Sequence, residues 1–322
     1  MRKSKAYIGF IIACIVLCSC SSPKTQSIPA PQIRFLSATK DVKLEVLDWG
    51  GTGKPILFLT GLGNTAHIYE NFAPVFTDKY HVYALTRRGF GASTHPAKGY
   101  DTKTLAQDIL AIIDDLGLSK VILIGHSIAG DEITKFASSY PNRVEKVVYL
   151  DAAYDHAYLF TALTDFPELP KPTAKDSASI QNLKKFTERE IGGSIPQSEV
   201  TQSSIFSKEG KYIGDVTPSS IPQAVVMNAE HPMYTRIKCP ALAIYAKMSA
   251  KQFIPFYQEL DSVNRKKGDK LFDAFNKISL KEEDRFDKEV SDGSIKEIKG
   301  ARHYVFVSHP AETEKMVREF LQ

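Results

Sequence analysis

Cysteine is scarce in this sequence, with 4 in 322 residues, and tryptophan occurs once. Four cysteines in a chain of this length exclude a disulfide scaffold. Charge of neither sign dominates, because 41 Lys+Arg stand against 37 Asp+Glu. Apolar residues at 43% and charged residues at 24% are ordinary globular values. They argue against wholesale disorder, a collagen and a multi-span membrane protein. There is no internal repeat, and the scattered His and Asp residues lack metal-ligand spacing. The length suffices for a substantial buried core, in one large α/β domain or two ordinary ones.

What is present begins with an address. Arg2, Lys3 and Lys5 carry the first charges, and residues 6–18 follow without any. At about 1.5 Å per residue this run is too short to cross a hydrocarbon layer of roughly 30 Å, but it has the length of a signal-peptide apolar region. Leu17-Cys18-Ser19-Cys20-Ser21-Ser22 resembles a bacterial lipobox. The resemblance implies a lipoprotein signal at 1–19, lipidation of Cys20, and an exported protein held on a membrane of the cell envelope by acyl chains. Cys18 fits less well, since bulky Leu17 would then occupy the cleavage position. Residues 20–31, rich in Ser, Pro, Gln and Thr, read as a flexible tether. Without Arg2, Lys3 and Lys5 the 41 basic residues become 38 against 37 acidic ones, a near-neutral mature chain. No nucleic-acid partner or polybasic membrane contact is expected from it.

Beyond the tether, apolar runs of strand type at 42–49, 55–60, 80–86, 121–124 and 147–150 alternate with helical patterns. Leu105, Ile109, Ile112, Ile113 and Leu116 recur at three and four residues, and Gly117 ends that helix. Another helix is expected at 128–140, closed by Pro141. Runs that are apolar on both faces and alternate with helices imply a mostly parallel sheet covered on both sides. The alternation stops between Tyr154 and Arg236, where helical stretches and Pro-rich turns contain no convincing buried strand. It resumes with strands at 240–246 and 294–299 and a terminal helix at 313–321. The simplest organisation is one core, 32–153 and 237–322, interrupted by an insertion at 154–236.

The most informative segment is Val121-Ile-Leu-Ile-Gly125-His126-Ser127-Ile128-Ala129-Gly130. A buried strand runs into Gly-His-Ser and directly into a helix, the context of a nucleophile elbow. Small residues must flank Ser127 where strand and helix nearly touch, and Gly125, Ala129 and Gly130 are small. Here the chain resembles the α/β-hydrolase family, over nearly all of residues 33–322, although Ala129 replaces the second glycine usual in that family. The resemblance implies an α/β fold with a doubly wound, mostly parallel eight-stranded sheet and an inserted, mainly helical cap. Thr60-Gly61-Leu62-Gly63-Asn64 is similar to the family's oxyanion loop, with Thr60 in place of the usual His. The implied oxyanion donors are the backbone N–H groups of Leu62 and of Ile128. Arg87-Arg88-Gly89-Phe90-Gly91-Ala92-Ser93 resembles a family loop with a structural role.

A serine nucleophile needs an imidazole to take its proton and return it to the leaving group. His303, in Gly300-Ala301-Arg302-His303-Tyr304 just after the last strand, is the expected base. His126 is expected to pack or to line the substrate pocket beside Tyr154, and His309 to start the terminal helix. The acid departs from the family pattern, because Lys247-Met-Ser-Ala-Lys-Gln-Phe-Ile-Pro255 after the penultimate strand holds no carboxylate. Asp151, one strand after the nucleophile strand, is the expected substitute. Asp155, a distal Glu or Asp, and an acid-free dyad are the alternatives.

The reading is therefore a serine hydrolase that cleaves a small-molecule ester or related acyl compound through an acyl-enzyme, with no metal or cofactor. The aromatic residues Tyr154, Tyr158, Phe160 and Phe166 are candidate pocket walls. The alternative is a lipid-anchored binding or scaffold protein on a degenerate form of the same fold, which the missing acid favours.

Overall fold

The computed structural model describes residues 30–322. The expected signal, Cys20 and nearly all of the tether lie outside the described residues. The strands are β1 (Gln32–Thr39), β2 (Val42–Gly50), β3 (Pro55–Leu59), β4 (His81–Leu85), β5 (Val121–His126), β6 (Val144–Leu150), β7 (Ser204–Phe206), β8 (Tyr212–Asp215), β9 (Ala241–Lys247) and β10 (Gly293–Lys299). All but β7 and β8 form one sheet in the order β1-β2-β4-β3-β5-β6-β9-β10. Strand β2 is antiparallel to both neighbours, and every other pairing is parallel. This is the doubly wound α/β sheet expected.

The helices are α1 (Thr102–Asp115), α2 (Ala129–Ser139), α3 (His156–Ala162), α4 (Ile180–Ile191), α5 (Gln197–Ser203), α6 (Ser220–Met227), α7 (Ala250–Phe253), α8 (Ser262–Glu289), α9 (Val305–Ser308) and α10 (Pro310–Leu321). Four of them, α3 to α6, lie between β6 and β9 together with the β7–β8 hairpin, so the inserted cap is mainly helical. Local chemistry sets the ends: the Asp101 carboxylate accepts from Thr104 N–H at 2.9 Å to start α1, and Asp261 accepts from Val263 and Asn264 to start α8.

Alternate residues of β3 feed two cores. Leu57 and Leu59 face α1 and α2, packing with Ile109, Ile113 and Phe136, while Ile56 and Phe58 face Tyr69, Phe72, Phe76 and Phe306. Burial on both faces is what the apolar run of β5 requires, and all six of its residues are buried. The chain visits β4 on one side of β3 and then β5 on the other, so the connections diverge at the C-terminal ends of β3 and β5. Open α/β sheets leave a crevice at such a point.

Three strands escaped the sequence reading for the same reason. Strand β1 lies at the sheet edge with only Leu36 buried, and β7 and β8 hold no buried residue. Exposed strands leave no hydrophobic signature. Among the described residues no helix is long and apolar enough to cross a membrane, and Cys239 is a buried free thiol.

Behind the loop that follows β4 lies a buried polar cluster. Glu45 accepts from Thr86 Oγ1 at 2.7 Å, and His67 contacts Glu45 at 3.3 Å and Glu70 at 2.6 Å. Burial alone would lower the His67 pKa, but the hydrogen bonds and charges of Glu45 and Glu70 outweigh it and push it up to about 9. The folded state thus keeps a proton that the unfolded chain releases near pH 6.5, and the stability this supplies is complete below pH 6.5 and lost as pH rises through 9. The stability difference between wild type and His67→Gln, measured by urea unfolding, should shrink between pH 6.5 and 9, by at most about 1.4 kcal/mol per pH unit. A difference independent of pH in that window would refute the protonated His67.

Candidate active site

Strands β5 and β6 end level with each other, His126 opposite Leu150, so Ser127 and Asp151 occupy matching positions just past the sheet. Both have left-handed backbone conformations, with φ of 54° and 49°. Such conformations cost a non-glycine residue on the order of 1–3 kcal/mol, and they persist where the surroundings fix them. At Ser127 the constraint is the short passage from β5 to α2. The Gly130 N–H donates to Ser127 O at 2.8 Å, and a Cβ on Gly130 would lie 1.8 Å from the carbonyl oxygen of Ala152. A Cβ on Gly125 would stand 3.2 Å from Ala129 O, so the glycine lets strand and helix approach there too.

Asp151 is fully buried. Its Oδ2 lies 2.7 Å from His303 Nδ1, and Oδ1 accepts from Tyr154 Oη at 2.7 Å and from Ala246 N–H at 3.0 Å. Ala246 is in β9, beside the position where a carboxylate was first sought, so that strand end supplies a donor. His303 follows β10 by four residues, and its side chain is 40% exposed. Asp155 is elsewhere: it caps α3 through Tyr158 N–H and faces His231 and Arg285.

His126 does not line the cavity above Ser127, contrary to the pocket role expected for it. It is buried beneath His303 and Tyr304, with ring centroids 4.6 and 4.5 Å away, and its Nε2–H donates to the His303 carbonyl at 3.1 Å. Burial, and then the neighbouring His303, push its pKa well below the ordinary value, so it is neutral. Neighbouring residues on a sharp turn point apart, which is why Ser127 faces the cavity and His126 the core.

The loop after β3 closes as a turn in which Asn64 N–H donates to Gly61 O at 3.4 Å and Gly63 takes φ +86°. Leu62 occupies the second position of this turn. A Cβ on Gly61 would stand 3.3 Å from Ser127 Cβ and 2.6 Å from His126 Nδ1, so the loop backbone lies directly against the turn that carries Ser127. Among the described residues no backbone acceptor takes the N–H of Leu62 or of Ile128. Arg87 holds the loop from behind, donating to Thr60 O at 2.6 Å, to Gly61 O at 3.3 Å and to Glu132 at 2.5 Å. From the cap side, buried Glu199 accepts from Asn64 Nδ2 and from Thr65, and Tyr304 Oη donates to Asn64 Oδ1 at 2.9 Å. Burial pushes the Glu199 carboxyl above its ordinary range, against these donors.

A cavity of about 810 Å³ lies over these groups, lined by Leu62, Ser127, Tyr154 and His303 from below and by cap residues such as Leu159, Phe160, Leu183 and Phe186. Of the aromatic candidates, Tyr154 and Phe160 line it, whereas Tyr158 and Phe166 are 47% and 59% exposed and do not. Sequence reasoning missed Glu132, Glu199 and a buried pair, His156 Nδ1 with Asp131 Oδ1 at 2.9 Å. Polar residues inside an amphipathic helix read as surface, and only Asp131 and Glu132, in the first turn after Ser127, sat close enough to raise suspicion. No group of three or more His, Cys, Asp or Glu residues suited to a metal occurs among the described residues.

A sequence model of the alpha/beta hydrolase fold matches residues 54–187. A putative non-heme chloroperoxidase of Synechocystis sp. is 35% identical over 116 residues, 35% of this chain and 41% of that relative. The chain thus spans about two fifths of its length. The 2-(acetamidomethylene)succinate hydrolase of Mesorhizobium japonicum is 25% identical over 209 residues, covering 62% of this chain and 72% of the relative. The crystal structure of E-2-(acetamidomethylene)succinate hydrolase superposes with a TM-score of 0.65 at 20% identity, over 90% of this chain and 99% of that one.

Replacing glycine by alanine in a helix ordinarily stabilises it by up to about 1 kcal/mol. At Gly130 the sign should reverse, because the added Cβ meets backbone that cannot rotate away. Gly130→Ala is expected to lower Tm by several degrees in a thermal melt, and an unchanged or higher Tm would disprove the close approach of α2 to the segment after β6.

Proposed function

We propose that this chain is an α/β-hydrolase and a serine hydrolase that cleaves a small-molecule ester or related acyl compound through an acyl-enzyme. The observation that carries the reading is the 2.7 Å contact between buried Asp151 and His303, beside a cavity that Ser127 also lines. Asp151 fixes the imidazole with Nδ1 protonated, which leaves the Nε2 lone pair for catalysis. In the proposed reaction Ser127 Oγ attacks the carbonyl carbon while His303 Nε2 takes its proton. The oxyanion accepts from the N–H groups of Leu62 and Ile128. His303 then protonates the leaving group, and in the second half it activates water to release the acid. Asp151 stabilises the imidazolium in both halves.

Serine at the elbow disfavours chemistry that begins with attack by an aspartate. The cavity volume fits a small molecule, and the apolar part of its cap wall, with Leu159, Phe160, Leu183 and Phe186, suits an acyl chain or an apolar alcohol. The binding-protein alternative drew on the acid missing after β9, and a carboxylate offered from β6 removes that argument. The proposal extends to the N-terminus, where lipidation at Cys20 would hold the enzyme at a membrane of the cell envelope.

A fluorophosphonate probe should label the wild-type chain and fail to label Ser127→Ala. Asp151→Asn should hydrolyse a p-nitrophenyl ester about 10²–10⁴ times more slowly than wild type while melting as a folded protein. An unlabelled wild type, or equal labelling of Ser127→Ala, would sink the proposal. Undiminished turnover by Asp151→Asn would remove that residue from it. Metabolic incorporation of an alkynyl fatty acid, lost in Cys20→Ala, tests the anchor, and incorporation retained in that variant would exclude it.

A further inference from the structure

The cap does more than cover the cavity. Helix α5 delivers Glu199 into the core with 3% of its surface exposed, and its carboxylate meets the loop that carries Leu62. Asn64 Nδ2 donates to Oε1 at 3.0 Å. The Thr65 N–H lies 3.2 and 3.3 Å from the two oxygens, and Thr65 Oγ1 donates to Oε2 at 2.5 Å. Among the described residues no Lys or Arg makes an ion pair with it. A buried carboxylate that relies on neutral donors holds those donors tightly, because losing them leaves it unsolvated. Those donors begin two residues after Leu62, at the residue that closes the Gly61–Asn64 turn. Arg87 grips the other end of the same turn through Thr60 O and Gly61 O. Asn64 also accepts from Tyr304, the neighbour of His303, which ties the loop to the segment that bears the base.

We propose that Glu199 is a positioning residue: from the cap it fixes the Gly61–Thr65 loop so that the Leu62 N–H is aimed at the oxyanion, which makes the oxyanion hole complete only while the cap is seated. The proposal rests on the serine-hydrolase reading above. A second cap contact offers a control, because Ser198 Oγ donates to Glu70 Oε2 at 2.5 Å and does not reach the loop.

The test compares wild type, Glu199→Ala, Glu199→Gln and Ser198→Ala as full-length chains. The readouts are steady-state hydrolysis of a p-nitrophenyl ester, inhibition by a trifluoromethyl ketone, and amide hydrogen exchange of residues 61–66. The ketone is a suitable probe because Ser127 would convert it to a tetrahedral oxyanion. Glu199→Ala should lower kcat by about 10–100-fold with KM changed less than about threefold, since loss of one oxyanion donor outright costs about 10²–10³. Ketone affinity should fall in step with kcat, and residues 61–66 should exchange faster. Glu199→Gln, which keeps the shape and one acceptor oxygen, should recover most of the activity and also serves if the alanine variant does not fold. Ser198→Ala should behave as wild type. Unchanged kcat in Glu199→Ala, a loss with unchanged exchange at 61–66, or an equal loss in Ser198→Ala would overturn the positioning role. Absence of ester hydrolysis and of fluorophosphonate labelling in wild type would instead refute the hydrolase reading, and exchange at 61–66 would still decide whether Glu199 orders the loop.

Discussion

A carboxylate with no access to water must find all its hydrogen-bond donors within the protein, and Asp151 draws on three parts of the chain. Tyr154 comes from the start of the cap, Ala246 N–H from the end of β9, and His303 from beyond β10. Only a parallel arrangement of β6, β9 and β10 brings these C-terminal ends together, so the charge and the sheet order depend on each other. Removing any one donor would expose a desolvated lone pair, at a cost of about 1–3 kcal/mol. The end of β9, followed by a segment without a carboxylate, retains a share in the arrangement through the backbone N–H of Ala246.

A second constraint acts on the other side of Ser127. The turn from Gly61 to Asn64 is gripped by charged groups at both ends: Arg87 from the core, paired with Glu132 on α2, and Glu199 from the cap. Because α2 begins two residues after Ser127, the same helix follows directly on the turn that carries Ser127 and, through Glu132, holds the cation that grips the facing loop. A shift of α2 would disturb both together.

Much of this was legible in the sequence, and the reasons differ by residue. The run from Val121 to Ile124 could only be a central strand, and Gly-His-Ser between strand and helix admits few alternatives, so Ser127 was readable from local chemistry. Asp151 followed from its place at the end of the next strand, once the segment after Ala246 proved empty of carboxylates. The orientation of His126 was only half readable: its neighbour's exposure dictated its burial, but the partner of its Nε2 is 177 positions away in sequence. Glu199 was invisible, because its partners Asn64 and Thr65 lie more than 130 positions away and a glutamate in a short polar helix looks like surface. Strands β1, β7 and β8 were missed for want of buried residues, not for want of strand geometry.

The place where the cap joins the core bears on how this scaffold can diversify. The insertion leaves the sheet at Ala152–Ala153 and its first aromatic residue, Tyr154, is already bonded to Asp151. The walls of the cavity come largely from the insertion, with α3, α4 and α5 all contributing, whereas Ser127 and Asp151 follow the ends of β5 and β6 and His303 follows β10, outside the insertion. Exchanging α4 for another sequence would remodel part of the cavity wall while leaving Ser127, Asp151 and His303 in place, whereas α3 is less free because its His156 pairs with buried Asp131. An exchange of the whole cap would not be so neutral, since it would take Tyr154 from the carboxylate and Glu199 from the loop. A change to the cavity wall is therefore best placed in the middle of the insertion, between Tyr154 and His156 on one side and Glu199 on the other, which must travel with any graft.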